Sequence, residues 1–253
     1  MSDQKDKLTQ LIEAKSEALS HRKSDSPLEK IFHQIQPAKT DLYQKILSYN
    51  GLSLILEADR LVMGDCRTKD FPPLEAPWFA GISVQYGVNF PASPEDLNAA
   101  SPESWRQHGK IISDLIIEPY EIYHARYCGF DCITIYMGSV TDSELLTLFL
   151  LGRQFSMSTI LVTGSEKELD SANSTPARMI AMHERDSFGN CLDLEEICEL
   201  AEAVPEQTLL LTRLASPSPE KLDMLKEAEI NAVILSLEDF HMNQKKFQEF
   251  FPL

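Results

Sequence analysis

The chain has 253 residues, 43% of them hydrophobic, enough to bury a large core and close to the roughly 250 of a single α/β barrel. With 39 acidic side chains against 23 basic ones, its formal charge of −16 excludes the clustered Lys and Arg that nucleic acid or an anionic membrane surface requires. Its cysteines, Cys66, Cys128, Cys132, Cys191 and Cys198, are an odd number in a chain with a hydrophobic core, which fits reduced thiols and a cytoplasmic setting rather than a disulfide framework.

Met1 to Lys15 is charged and lacks the apolar core of a signal peptide, and no apolar run approaches the ~20 residues that span a bilayer. Leu8, Leu11, Ile12 and Leu19 recur near the 3.6-residue period, predicting an amphipathic helix over Lys7 to Leu19. A second, short helix is expected around Asp41 to Ser48. Residues 1–253 are then expected to form a single domain, with 1–50 a helical extension and 51–253 its main body, since no Pro/Gly/Ser-rich stretch marks a boundary.

Eight short apolar or β-branched runs follow: Ser53 to Leu56, Gly81 to Val84, Lys110 to Ser113, Cys132 to Tyr136, Thr159 to Val162, Met179 to Met182, Thr208 to Thr212 and Ala232 to Leu235. Between most of them lie helix-length segments with start signals, such as Ser101-Pro102-Glu103, Thr141 to Glu144, Asp193 to Ala203 and Ser218-Pro219-Glu220. Apolar runs without strict alternation, separated by helices, indicate a parallel sheet covered on its outer face. Periodicity alone does not separate a closed barrel from an open doubly wound sheet. No G-x-G-x-x-G follows a strand, so nothing calls for a dinucleotide cofactor. Cys128 and Cys132 straddle a turn into a strand with no histidine pair at ligand spacing, which predicts buried thiols and no metal site.

Ser113 to Arg126 reads S-D-L-I-I-E-P-Y-E-I-Y-H-A-R and resembles the motif K-D-F-I-I-D-P-Y-Q-I-Y-x-A-R of the indole-3-glycerol phosphate synthase family. Gly129 to Glu144, Ile82-Ser83-Val84 with Phe90 to Ser93, Leu54 to Glu57, and Ile12 to Lys23 with Pro27-Leu28 are similar to further segments of that family. The resemblance covers roughly residues 10 to 250, more weakly after Ser165, and implies a (β/α)8 barrel with an N-terminal helical extension. It also implies a carboxy-lyase of tryptophan biosynthesis, closing an indole ring on a phosphorylated anilino-sugar with a lysine acid and a glutamate.

In such a barrel, function sits at the strand C-termini, and there this chain departs from the family. The family's E-x-K on the first strand falls on Glu57-Ala58-Asp59, its general-acid lysine on Ser113, its fifth-strand glutamate on Thr163 and its sixth-strand asparagine on His183. The seventh-strand S-E-S-G falls on Thr212-Arg213-Leu214-Ala215, and the glycine-containing phosphate loop after strand eight on Ser236-Leu237. No phosphate-binding residue is retained, and Leu237 and Glu238 are expected to put bulk and negative charge where a dianion would lie. Three prolines between Phe71 and Phe79 predict that the first barrel helix is shortened or lost.

Glu57, His183 and Asp59 are the candidate catalytic residues, with Glu184 nearby; Arg213, Ser113 and Thr163 are the candidate ligand-binding positions. Arg213 either binds an anion or pairs with Glu57 or Asp59. The leading expectation is a non-catalytic or divergent relative that binds a small molecule at the barrel mouth or a protein partner. The alternatives are an active synthase with a rebuilt site, and an acid/base enzyme acting on an unphosphorylated molecule through Glu57 and His183.

Overall fold

The computed structural model of the chain describes residues 2–58, 76–85, 108–184 and 192–252. Asp59, Cys66, Cys191, the Ser101-Pro102-Glu103 start signal and most of the expected first barrel helix lie outside these residues.

Eight parallel strands close into a barrel in sequence order, the first pairing with the last. They are β1 (Ser53–Ala58), β2 (Phe79–Gln85), β3 (Gly109–Ser113), β4 (Cys132–Tyr136), β5 (Ser158–Thr163), β6 (Met179–His183), β7 (Leu209–Arg213) and β8 (Ala232–Ser236). Every apolar run is therefore a strand, and the closed barrel replaces the open-sheet alternative. Most ladders run one or two residues further toward their C-termini than the apolar runs do. Backbone pairing continues through polar residues such as Glu57, His183, Arg213 and Ser236 because the ladder does not depend on side-chain type.

Side chains alternate across the wall. Ile55, Ile111, Cys132, Tyr136, Ile160, Val162, Ala181, Leu211 and Ile234 fill the inside. Leu54, Leu56, Ile112, Ile133, Leu161, Ile180, Leu210 and Val233 pack outward with the helices. Cys128 and Cys132 accordingly sit in different clusters on the two sides of the wall. Among the described residues no group of His, Cys, Asp and Glu could hold a metal ion, and no helix is long and apolar enough to cross a membrane.

The N-terminal part holds α1 (Ser2–Asp25), α2 (Leu28–Ile31) and α3 (Leu42–Leu47). Asp41 caps α3, accepting from the Gln44 N–H, and Leu42, Tyr43 and Ile46 plug the barrel's N-terminal end. Beside the plug, β2 and β3 approach closely: a Cβ on Gly81 would stand 2.6 Å from the Gly109 carbonyl oxygen. α1 is longer than the predicted Lys7 to Leu19 and lies across the opposite end. Its Leu8, Leu11 and Ile12 pack on the inner cluster, and Leu8 comes close to Gly138, just beyond β4.

The barrel helices are α4 (Pro119–Tyr127), α5 (Asp142–Gln154), α6 (Glu166–Asn173), α7 (Leu194–Ala201), α8 (Pro219–Glu227) and α9 (Leu237–Asn243). Their starts follow the sequence signals: Thr141 and Asp193 each form a reciprocal capping box with a glutamate, and Ser218 caps α8 ahead of Pro219. The buried Trp78 packs against Phe251 and donates its indole N–H to the Pro252 carbonyl at 2.9 Å, tying the entry of β2 to the C-terminal segment.

Candidate functional site at the strand C-termini

Alternation directs Glu57, Ser113, Tyr136, His183, Arg213 and Ser236 into the barrel at its C-terminal end, each two residues beyond, or itself among, the inner-cluster side chains. Thr163 is different. Val162 is the β5 residue packed in the inner cluster, so Thr163 shares the outward side with Leu161 and is buried there. Four of the candidates thus share the mouth (Glu57, Ser113, His183 and Arg213), Thr163 stands behind the wall, and Asp59 lies outside the described residues.

At the centre of the mouth the Arg213 Nε–H donates to Glu57 Oε2 at 2.6 Å. Of the pairings open to Arg213, the one with Glu57 is formed among the described residues. β8 lies between the two strands, with Ser236 beside Glu57. The arginine side chain is 20% exposed and the glutamate 6%, so the pair is partly wet and its charges balance. His183 neighbours Arg213 in the β6–β7 ladder. It is buried and meets the Tyr136 ring edge-on, 6.2 Å between centroids.

The loop after β7 shows what has become of the anion-binding corner. In barrels of this kind, phosphate is often taken by backbone N–H groups after strands seven and eight. Here the Ala215 N–H donates to Glu184 Oε2 at 2.9 Å, and the other oxygen of Glu184 pairs with the Lys221 ammonium from the first turn of α8. Glu184 is fixed there by its own N–H, which donates to the Arg213 carbonyl at 3.0 Å. After β8, the Ser236 hydroxyl accepts from the Asp239 N–H at 3.0 Å and donates to the Asp239 carboxylate at 2.6 Å, capping α9 internally. Leu214 and Leu237 are buried in the outer cluster between wall and helices, so neither plugs the mouth. Glu238 is exposed. A carboxylate does take the corner, but it is Glu184.

A second charged cluster, not anticipated from the sequence, fastens α1 to the β3 end. The wholly buried Lys15 ammonium pairs with Asp114, the residue after β3, and with Glu121 Oε1 of α4 at 2.7 Å. The second Glu121 oxygen accepts from the Ile117 and Glu118 N–H groups at 2.8 and 3.2 Å. Burial pushes the Glu121 carboxyl up to about 7 against the pull of Lys15, and raises that of Asp114 in the same way. Nearby, burial and then the charges of Arg22 and Lys15 lower His124 to about 4. The clue was present in one departure from the family motif, glutamate in place of glutamine at 121, together with the lysine on the helix that resembles the family's N-terminal segment.

A groove of about 1080 Å³ lies at the other end, lined by Leu47, Tyr49, Val204, Met224 and Asn231 among others. It faces the barrel's N-terminal side, the end associated with stability rather than chemistry.

The family model for indole-3-glycerol phosphate synthase matches residues 81–248. The chain belongs to the indole-3-glycerol phosphate synthase family. Proteins called indole-3-glycerol phosphate synthase to which it is similar include one from Lachnoclostridium phytofermentans, 26% identical over 76% of this chain and 73% of that protein. Another, from Acetivibrio thermocellus, is 28% identical over 48% of this chain and 47% of its own. A third, from Polaromonas naphthalenivorans, is 27% identical over 48% of this chain, and the chain spans about half the length of these last two relatives. Among solved structures, one described as "Native KDPGal structure" superposes with a TM-score of 0.53 at 16% identity, covering 81% of this chain and 98% of that one, a likeness of fold.

Proposed function

We propose that this family member has given up the ring-closing reaction and keeps its barrel as a cytoplasmic binding or regulatory module, with a small molecule at the mouth or a protein partner as its counterpart. The observation that carries this reading is the Glu57–Arg213 ion pair at 2.6 Å. The one strand-end carboxylate that matches the family pattern is tied to an arginine, and the general-acid position is held by Ser113. Loss of a positioned general acid costs ~10² to 10⁴ in rate, and each lost polar stabiliser roughly 10² to 10³, with the losses not strictly additive.

A rebuilt synthase would need another ammonium at the mouth. Lys15 and Lys221, near this end, are both engaged by carboxylates. Purified protein should therefore release no indole fluorescence from the carboxyphenylamino-deoxyribulose phosphate substrate and should fail to complement a tryptophan-requiring strain. Turnover that disappears in Glu57→Gln would refute the reading.

The acid/base alternative draws on the buried His183 beside Tyr136. A thermal-shift screen of small neutral or cationic molecules tests it: a ligand that raises the melting temperature should lose its effect in His183→Ala.

A further inference from the structure

We infer that Glu184 is a built-in anion that makes the barrel mouth selective against phosphorylated ligands, so that the molecule it accepts is neutral or cationic. This rests on the functional reading above and specifies the class of ligand that site takes.

The corner has the two donors an oxyanion needs. One is the Ala215 N–H, which meets Glu184 Oε2 at 2.9 Å. The other is the Lys221 ammonium, which takes the remaining oxygen. Both point at a single carboxylate, in the loop region where barrels commonly hold phosphate, and charge-assisted bonds of this type are among the stronger hydrogen bonds in proteins. The carboxylate arrives from the end of β6 and is positioned through its own backbone N–H on Arg213. Its side chain is 16% exposed and that of Lys221 26%, so the seat is within reach of solvent yet already filled. An incoming dianion would have to displace an intramolecular carboxylate held at high effective concentration and would then meet its repulsion. Among the described residues the nearby Arg213 is engaged by Glu57. A ligand without phosphate faces no such competition.

The test uses inorganic phosphate as the probe, at ionic strength matched with chloride, and follows the Ala215 amide resonance of the full chain together with its melting temperature. In the unaltered protein the resonance should not respond. In Glu184→Ala it should titrate, with phosphate bound roughly ten- to a hundredfold more tightly than by the unaltered chain. Adding Lys221→Ala to that variant should abolish the response. Glu184→Gln, whose amide oxygen can still accept from Ala215 but carries no charge, should give an intermediate affinity and provides the comparison should the alanine variant fold poorly. Equal phosphate binding by unaltered and variant proteins, or silence of both Glu184 variants, would overturn this inference. Silence of the variants leaves the loss of ring closure standing, whereas turnover of the family substrate by the unaltered chain strikes at that reading itself.

Discussion

Two charged clusters at the same end of the barrel are built on opposite principles. The Glu57–Arg213 pair joins a cation to an anion across strands, with the arginine side partly wet. The Lys15 cluster sets one cation against two carboxylates, all three nearly or wholly sealed from solvent. The first resembles an active-site carboxylate that has been neutralised in place. The second gathers two buried carboxylates on one ammonium at the joint between α1 and the barrel, with the charge of Arg22 also acting on Asp114, and its cost appears in the upward displacement of Glu121. Charge balance and burial, rather than the number of ion pairs, therefore decide what each cluster contributes.

The contrast is broken most severely at Lys15. Lys15→Met leaves two carboxylates buried without their shared ion-pair partner and should cost about 3–5 kcal/mol near neutral pH, read from urea unfolding. A loss below about 1 kcal/mol would mean that α1 is not fastened through this residue.

Glu121→Gln sharpens the comparison through pH. Because burial raises the folded-state value of Glu121 from 4.5 to about 7, its contribution to folding is fully present below about 4.5 and is lost as pH rises through about 7. The stability of Glu121→Gln relative to the unaltered chain should thus shift by about 2 kcal/mol in the variant's favour between about pH 5 and pH 8. A flat difference across that window would remove this account of the cluster.

Arg213→Leu should cost less, about 1–2 kcal/mol, because the Arg213 side chain is 20% exposed and water screens its pairing with Glu57. A double-mutant cycle with Glu57→Gln should recover much of that loss. The smallest effect belongs to Lys23→Ala: Lys23 pairs with Glu118 at 2.6 Å, but its side chain is 46% exposed. Its removal should change stability by no more than about 0.5 kcal/mol.

The barrel was legible in the sequence because eight apolar runs spaced by capped helices leave few alternatives, and the motif from Ser113 to Arg126 named the family. The mouth was legible in part. Glu57, His183 and Arg213 stand at strand ends as expected, and the Arg213–Glu57 contact, spanning 156 positions, was one of the pairings open to the arginine. Thr163 was displaced by the parity of its strand, which an alignment by residue type does not fix. Lys15 reads in sequence like any solvated residue of a charged helix; its burial arises from partners such as Asp114, 99 positions away. Glu184 was noted near a strand end, but its role depends on the Ala215 N–H and on Lys221 one helix turn into α8, a convergence that only the closed barrel creates.

The most direct measurement of the central claim is a single-turnover experiment with purified chain in excess over the family's phosphorylated anilino-sugar, followed by indole fluorescence. With Glu57 held by Arg213 and Ser113 in the acid's position, no burst should rise above the substrate's own decay. A burst whose amplitude scales with protein and vanishes in Glu57→Gln would show that ring closure has survived.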